Sequence, residues 1–364
     1  MRIGIAGAGL CGRLLAWQLA RQGHSVTLFD RDSGAGEQSA GLIAAAMLAP
    51  YSESLRAGNK VFQLGCRALR QWQGLLSLLC HDSGVKVELR HSGSIAVAHR
   101  ADALELDDMS RRLQALPAVD LQRPYWLSAS ELRAAEPELD NFERGLYLPG
   151  EGCLDNRALF AALGQAIDKA GGRWRRQQQV ETVGAGFIRS GGASHRFDYV
   201  FDCRGFGAGT DLRELRGVRG ELLWVRATEV KLSRPVRLMH PRYQIYIAPK
   251  PDHFYVVGAT EIESESLAPI TVRSALELQS ALYTLHTGFA EAEIVQASSQ
   301  CRPAFEDNLP RIYQAEGLMR VNGLYRHGYL LGPTLVARAL ALFENRAVDP
   351  GNGSLEEAIK VIPA

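Results

Sequence analysis

Near the start of the chain, Gly7-Ala8-Gly9-Leu10-Cys11-Gly12 has the spacing GxGxxG. Such a turn can hold a pyrophosphate. The first glycine permits a tight turn, the second lets phosphate oxygens reach the backbone, and the third lets a helix pack close to a strand. The free N–H groups and positive dipole end of that helix face the anion. Asp30 follows about twenty residues on, where its carboxylate can accept hydrogen bonds from ribose hydroxyls and disfavour a 2′-phosphate; Arg31 beside it joins the candidate set. The turn thus points to a dinucleotide other than NADP, against the plain alternative of a glycine turn with no ligand. It does not separate FAD from NAD, because both carry the same ADP moiety.

These residues need a strand–turn–helix–strand unit, and the flanking sequence supplies one. Ile3 and Ile5 alternate as in a short strand, and Leu14, Leu15, Trp17 and Leu19 recur at helical spacing up to Gly23. Val26 and Leu28 then lead to Asp30. Beyond this unit the spacing predicts an amphipathic helix over about 59–79, strands at 85–89 and 94–98, a helix opened by the Ser128/Glu131 capping box, and a helix over 156–170. Strands follow near 180–188 and 196–203. The period of two from 220 to 259 indicates an antiparallel sheet. A helix over 272–285, a glycine-containing stretch from 323 to 332 and a helix over 334–343 complete the pattern. The expected class is α/β plus α+β: a Rossmann-type nucleotide domain (1–84, 149–217 and 299–364) and a second, antiparallel-sheet substrate domain (85–148 and 218–298).

Composition narrows the partners. With 41 basic and 40 acidic residues, the overall field has no special pull toward nucleic acid or an anionic membrane. The basic run Arg173-Trp174-Arg175-Arg176 reads as a solvated face. Six scattered cysteines without CxxC spacing argue against a zinc knuckle and a disulfide framework, so reduced thiols and a cytoplasmic location are expected. There is no GxSxG, and the nine histidines form no metal-ligand cluster, which weakens hydrolase readings and leaves no metal expected.

The small-residue run Ser39-Ala40-Gly41-Leu42-Ile43-Ala44-Ala45-Ala46-Met47-Leu48 would let a flat ring system lie against backbone. With the glycine turn, it resembles the D-amino-acid oxidase superfamily, and within it the bacterial glycine oxidases of the thiamine-pathway type. The similarity recurs in Asp198–Gly205, Val218-Arg219-Gly220-Glu221, Tyr246-Ile247-Ala248-Pro249-Lys250, Val257-Gly258-Ala259-Thr260, Cys301-Arg302-Pro303 and Tyr325–Pro333. Their order and spacing cover essentially the whole chain.

The resemblance implies non-covalent FAD, a small amino acid or secondary amine as substrate, hydride transfer from Cα to flavin N5, O2 as the reoxidant and hydrogen peroxide as product. It also implies a homo-oligomer. Arg302 matches the arginine that grips the substrate carboxylate, Tyr246 the tyrosine that adds a hydrogen bond, and Arg326 a second arginine near the pocket mouth. Ala45, Ala46, Met47, Val180, Cys203, Gly205, Gly328, Tyr329, Leu330 and Leu331 match flavin-binding positions. Each has a plainer reading: Arg302 as a surface ion-pair partner, Tyr246 as core packing, His327 as a structural histidine.

Two departures stand out. Glu261 replaces a methionine of one glycine-oxidase branch and would favour a cationic or N-substituted substrate. Cys301 falls near the flavin-linking cysteine of sarcosine oxidases but lacks the pattern around it. The alternatives in view are a dehydrogenase that passes electrons to a carrier, an NAD enzyme and a non-catalytic flavin-binding subunit.

Overall fold

In the computed structural model, which describes residues 1–346 and 359–363, the strand Arg2–Ala6 is an interior strand of a seven-stranded sheet. Ile3 and Ile5 are fully buried there. Ser25–Phe29 lies parallel on one side and Tyr199–Asp202 on the other. Leu318–Asn322 extends the sheet in parallel, Arg311–Ala315 reverses direction, and Lys360–Pro363 follows. Arg173–Arg175 forms the opposite edge. The part of the expected nucleotide domain at 347–358 and 364 lies outside the described residues.

The helices Leu10–Arg21, Pro50–Ser83, Asn156–Lys169 and Gly328–Phe343 share one apolar core with the seven-stranded sheet. A small sheet, Val180–Gly184, Phe187–Ser190 and Ala193–Arg196, packs through Val183 and Ile188 against Ala6, Phe29 and Val200.

The second large sheet has nine strands, among them Arg216–Arg226, Phe254–Gly258, Gln244–Pro249, Val236–Met239 and Ser94–Ala98, with Glu293–Ala304 paired along Arg216–Arg226. Val272–Leu285 covers it through Leu278, Ala281, Leu282 and Leu285. Leu222, Trp224, Ala248 and Val256 of this sheet pack against Ala45 and Cys153. The small-residue run is therefore held where the two large sheets approach each other.

Several sequence expectations change. The sheet is not purely antiparallel, because Val236–Met239 runs parallel to Ser94–Ala98. The long helix expected from 59 does begin there, after Gly58 (φ 72°, ψ −170°, a conformation that essentially only glycine adopts), and an additional helical segment from Pro50 precedes it. The strand expected at 85–89 shrinks to Leu89–Arg90, and the one at 180–188 is a hairpin.

The last helix begins at Gly328, six residues earlier than expected, with Pro333 inside it. Proline supplies no N–H to the carbonyl four residues back. The Trp72 indole Nε1 donates to that Tyr329 carbonyl instead, at 2.8 Å, so the helix continues through the proline. Among the described residues, no helix is long and apolar enough to cross a membrane.

Candidate active site

One cavity of about 450 Å³ opens at the carboxyl ends of Arg2–Ala6, Ser25–Phe29 and Tyr199–Asp202 and reaches the second large sheet. Its nucleotide end is made of backbone. Gly7 has φ +90°, and a Cβ there would sit 2.6 Å from the Cys203 carbonyl; one on Gly12 would sit 1.9 Å from the Gly7 carbonyl. The helix that follows has Gly9 as its N-cap, no side-chain cap bond and no acidic residue in its first turn, so its N-terminal amides face the cavity without a competing anion.

Asp30 braces the turn as well as lining it. One carboxylate oxygen accepts from the Ala8 N–H and the other from the Asp32 N–H at 2.9 Å. Behind the turn, Arg13 is 1% exposed and donates to the Ala8 carbonyl at 2.8 Å and the Gly34 carbonyl at 2.5 Å. It stacks on Phe160 and Trp174. Burial brings its guanidinium down to about 10, against the pull of Asp30 and Asp32.

In the middle of the cavity, the run 41–47 turns through Ala46 at φ 53°. Its carbonyls are pinned from outside. Asn156 donates to Leu42 and Ala44 at 2.5 and 2.9 Å, and buried Lys250 donates to Ala45 at 2.8 Å and to Leu154. Burial pushes the Lys250 ammonium below its usual range. The N-terminus of Gly328–Phe343 borders the same space through Gly328 and Tyr329, again with no side-chain cap.

The far end carries charge. Arg302 faces Gly220, where a Cβ would come within 2.3 Å of the guanidinium, and both terminal nitrogens donate to the Thr260 carbonyl at 3.1 Å. Burial, then the nearby Arg326 charge, lowers its pKa. Among the described residues, no carboxylate lies within ion-pair distance of it. Tyr246 lines the same end with no hydrogen-bond partner for its hydroxyl among the described residues, and burial raises its pKa.

Arg326 is tied on three sides, to Glu53 at 2.7 and 3.2 Å and to Glu261 at 2.7 Å. Glu53 also lies 3.1 Å from His327 and 3.9 Å from Arg237. Glu261 accepts from Arg56 at 2.5 Å and from the Tyr325 hydroxyl at 2.6 Å. Burial alone would raise both carboxyls, but Arg326 and the other cations outweigh it and hold both below the usual range. Glu261 is thus committed to internal partners, which departs from the expectation that it would attract a cationic substrate.

Comparison with known proteins settles the family. A family model described as FAD dependent oxidoreductase (DAO) matches residues 2–342. The chain belongs to this family. A relative from Rhizobium etli, named as a thiamine biosynthesis oxidoreductase, ThiO, is 41% identical over 344 residues, covering 93% of this chain and 96% of that protein. The glycine oxidase of Geobacillus kaustophilus is 27% identical over 347 residues, covering 91% of this chain and 89% of that one.

The crystal structure of glycine oxidase from Geobacillus kaustophilus superposes with a TM-score of 0.81 at 24% identity, covering 97% and 98% of the two chains. That of iminodiacetate oxidase from Chelativorans sp. BNC1 gives 0.82 at 22% identity with full coverage of both. The fold is that of glycine oxidase, and the protein is an FAD-dependent oxidoreductase of the glycine oxidase/ThiO type.

The residues present fit FAD. The glycine turn keeps its shape only without a Cβ at Gly7 or Gly12 and presents Gly7 and Gly9 to the cavity, and the buried Gln178 Oε1, at the cavity wall, has no hydrogen-bond partner among the described residues. Gly7, Gly9, Leu10, Cys11, Asp30, Arg31, Ala45, Ala46, Met47, Val180, Cys203, Gly205, Gly328 and Tyr329 all line the cavity, as do Tyr246, Arg302 and Arg326.

Gly12 packs beneath the turn. Leu330 and Leu331 do not line the cavity; they are buried in the core, and the Leu331 N–H donates to the His327 carbonyl at 2.7 Å. Sequence reasoning missed Arg13, Glu53, Asn156, Lys250 and Thr260 as parts of the site. Glu53 escaped because it sits on the helical segment before Gly58, which was not expected. The only local hint for Arg13 was a charge in the otherwise apolar first turns of a buried helix.

Proposed function

We propose that the protein oxidises glycine or another small α-amino acid or secondary amine whose carboxylate pairs with Arg302. The observation that carries this reading is a buried guanidinium, unpaired by any described carboxylate, at the end of the FAD cavity. A buried charge held only by a carbonyl is costly, and a substrate carboxylate offsets that cost with a bidentate pair.

The Thr260 carbonyl takes one N–H from each terminal nitrogen of Arg302, so the Nε–H and the outer N–H groups are what a substrate carboxylate meets, and Gly220 leaves the space that the guanidinium fills. The Tyr246 hydroxyl donates a further hydrogen bond to the carboxylate. Leu222 and Ala259 close the wall beside it with modest bulk, in keeping with a small substrate. Held at its acid end, the substrate presents its Cα–H in one orientation. FAD bound there would supply the hydride acceptor, and with O2 as final oxidant the hydride and the proton released from the amine would leave together as hydrogen peroxide. The imino acid hydrolyses to a keto acid and ammonia or, as the name of the ThiO relative suggests, serves thiazole formation for thiamine.

The alternation of the strand Glu293–Ala304 places the Cys301 thiol opposite the Arg302 side chain, near the Ser264 and Ser266 carbonyls, and burial raises its pKa. Both points support non-covalent FAD. Sheet membership supports the division into nucleotide and substrate domains, with Glu293–Ala304 running through the boundary expected at 298/299.

The test is anaerobic mixing of FAD-loaded protein with glycine, sarcosine and D-alanine while flavin bleaching is followed, then admission of O2 and assay of peroxide. Bleaching followed by stoichiometric peroxide is expected, and Arg302→Ala should weaken the amino acid by about 3 kcal/mol, roughly a hundredfold in apparent affinity. Bleaching without peroxide would assign the dehydrogenase reaction instead. Apparent affinity unchanged in Arg302→Ala would remove the assigned anchor.

A further inference from the structure

Two guanidiniums line the substrate end of the cavity, and they differ in one respect. Among the described residues Arg302 hydrogen-bonds the Thr260 carbonyl and pairs with no carboxylate, whereas Arg326 is gripped by Glu53 and Glu261 through contacts of 2.7, 3.2 and 2.7 Å. Glu53 comes from the helix segment before Gly58, Glu261 from the turn after Phe254–Gly258, and Arg326 from the turn before Gly328–Phe343. All three are partly or wholly shielded from water, so each carboxylate that holds Arg326 removes a site that a substrate anion would otherwise take.

We infer that Glu53 and Glu261 are specificity-determining residues: by occupying Arg326 they leave the site one available guanidinium and restrict it to monocarboxylic substrates, excluding amino acids with a second carboxylate. The inference rests on Arg302 being the carboxylate anchor. It follows from competition. A second substrate carboxylate could reach Arg326 only by displacing a resident one, and it would also meet the charge of Glu53, which itself lines the cavity. Glu53 is further held by Arg237 and His327, so its removal disturbs buried partners; Glu261 is more exposed, and Arg56 shares its load. Glu261→Gln is therefore the gentler probe and Glu53→Gln the stronger one.

Acetate and malonate, followed through their perturbation of the visible flavin spectrum of FAD-loaded protein, measure one and two carboxylates without turnover. In the unaltered protein acetate should bind at least as tightly as malonate. In Glu261→Gln the malonate-to-acetate affinity ratio should rise about tenfold, the worth of one charge-assisted hydrogen bond set. In Glu53→Gln, if it folds, the ratio should rise further, with iminodiacetate gaining on glycine in kcat/KM.

Arg302→Ala separates the two levels. If it weakens acetate but the ratio in Glu261→Gln stays unchanged, the specificity assignment is overturned while the anchor stands. If it leaves acetate binding unchanged, the anchor and this inference fall together. Malonate binding more tightly than acetate in the unaltered protein would also overturn the inference.

Discussion

At the nucleotide end of the cavity, residues 7–12 of a single turn act through backbone atoms, whereas at the substrate end Glu53, Glu261, Arg302 and Arg326 converge from four separate segments and act through charge. The first end depends on what is missing, a Cβ at Gly7 and Gly12. The second depends on which charges cancel. A local steric device and a long-range electrostatic one should therefore fail differently when altered.

The largest break is expected at the turn. In Gly12→Val the first side-chain carbon would fall 1.9 Å from the Gly7 carbonyl, so helix and strand must separate. The purified variant should lose FAD altogether, read as absent visible absorption after reconstitution, with stability reduced by about 3 kcal/mol.

Gly220→Ala probes the other end with a similar single carbon. There the clash, at 2.3 Å, is with the movable end of Arg302 rather than with backbone. The guanidinium should shift, KM should rise about tenfold, and the melting temperature should stay nearly constant. Loss of FAD in this variant would erase the distinction between the two ends.

Trp72→Phe should cost about 1 kcal/mol in urea unfolding, because the Tyr329 carbonyl, which Pro333 cannot serve, loses the indole N–H. Tighter FAD binding in that variant would contradict a supporting role for Trp72 at the helix start beside the cavity.

The smallest effect is in pH. Glu53 and Glu261 titrate below their unfolded values, so as pH falls the unfolded chain takes up protons first. Their contribution should be complete at neutral pH and lost only as pH drops from roughly 4.3 through the depressed folded values. The stability gap between the unaltered protein and Glu261→Gln should thus persist at pH 5 and close in more acidic buffer. A gap that closes between pH 7 and 5 would show that these carboxyls are not held down by their cationic partners.

Legibility in the sequence follows the same divide. The βαβ unit, the capping box at Ser128 and the helix Val272–Leu285 could be read because their determinants lie within a turn or two of chain. Arg302, Tyr246 and Arg326 were reached through resemblance, and the cavity contains all three. What the resemblance did not carry was their electrostatic state. Nothing near Arg326 in the chain indicates that its partner Glu53 lies 273 positions away, and the Tyr325 hydroxyl meets Glu261 across 64. The late helix was misjudged because Pro333 reads as a helix boundary, and the indole that donates to the carbonyl it frees comes from another helix.

The amino-acid sequence by itself determined the glycine turn, the parallel unit around it and the types of group available to hold an acid. These depend on local backbone sterics and periodicity. Tertiary structure alone decided which guanidinium remains open, because Coulomb interaction depends on distance and burial, and folding sets both by bringing Glu53 and Glu261 to Arg326 while leaving Arg302 with a carbonyl.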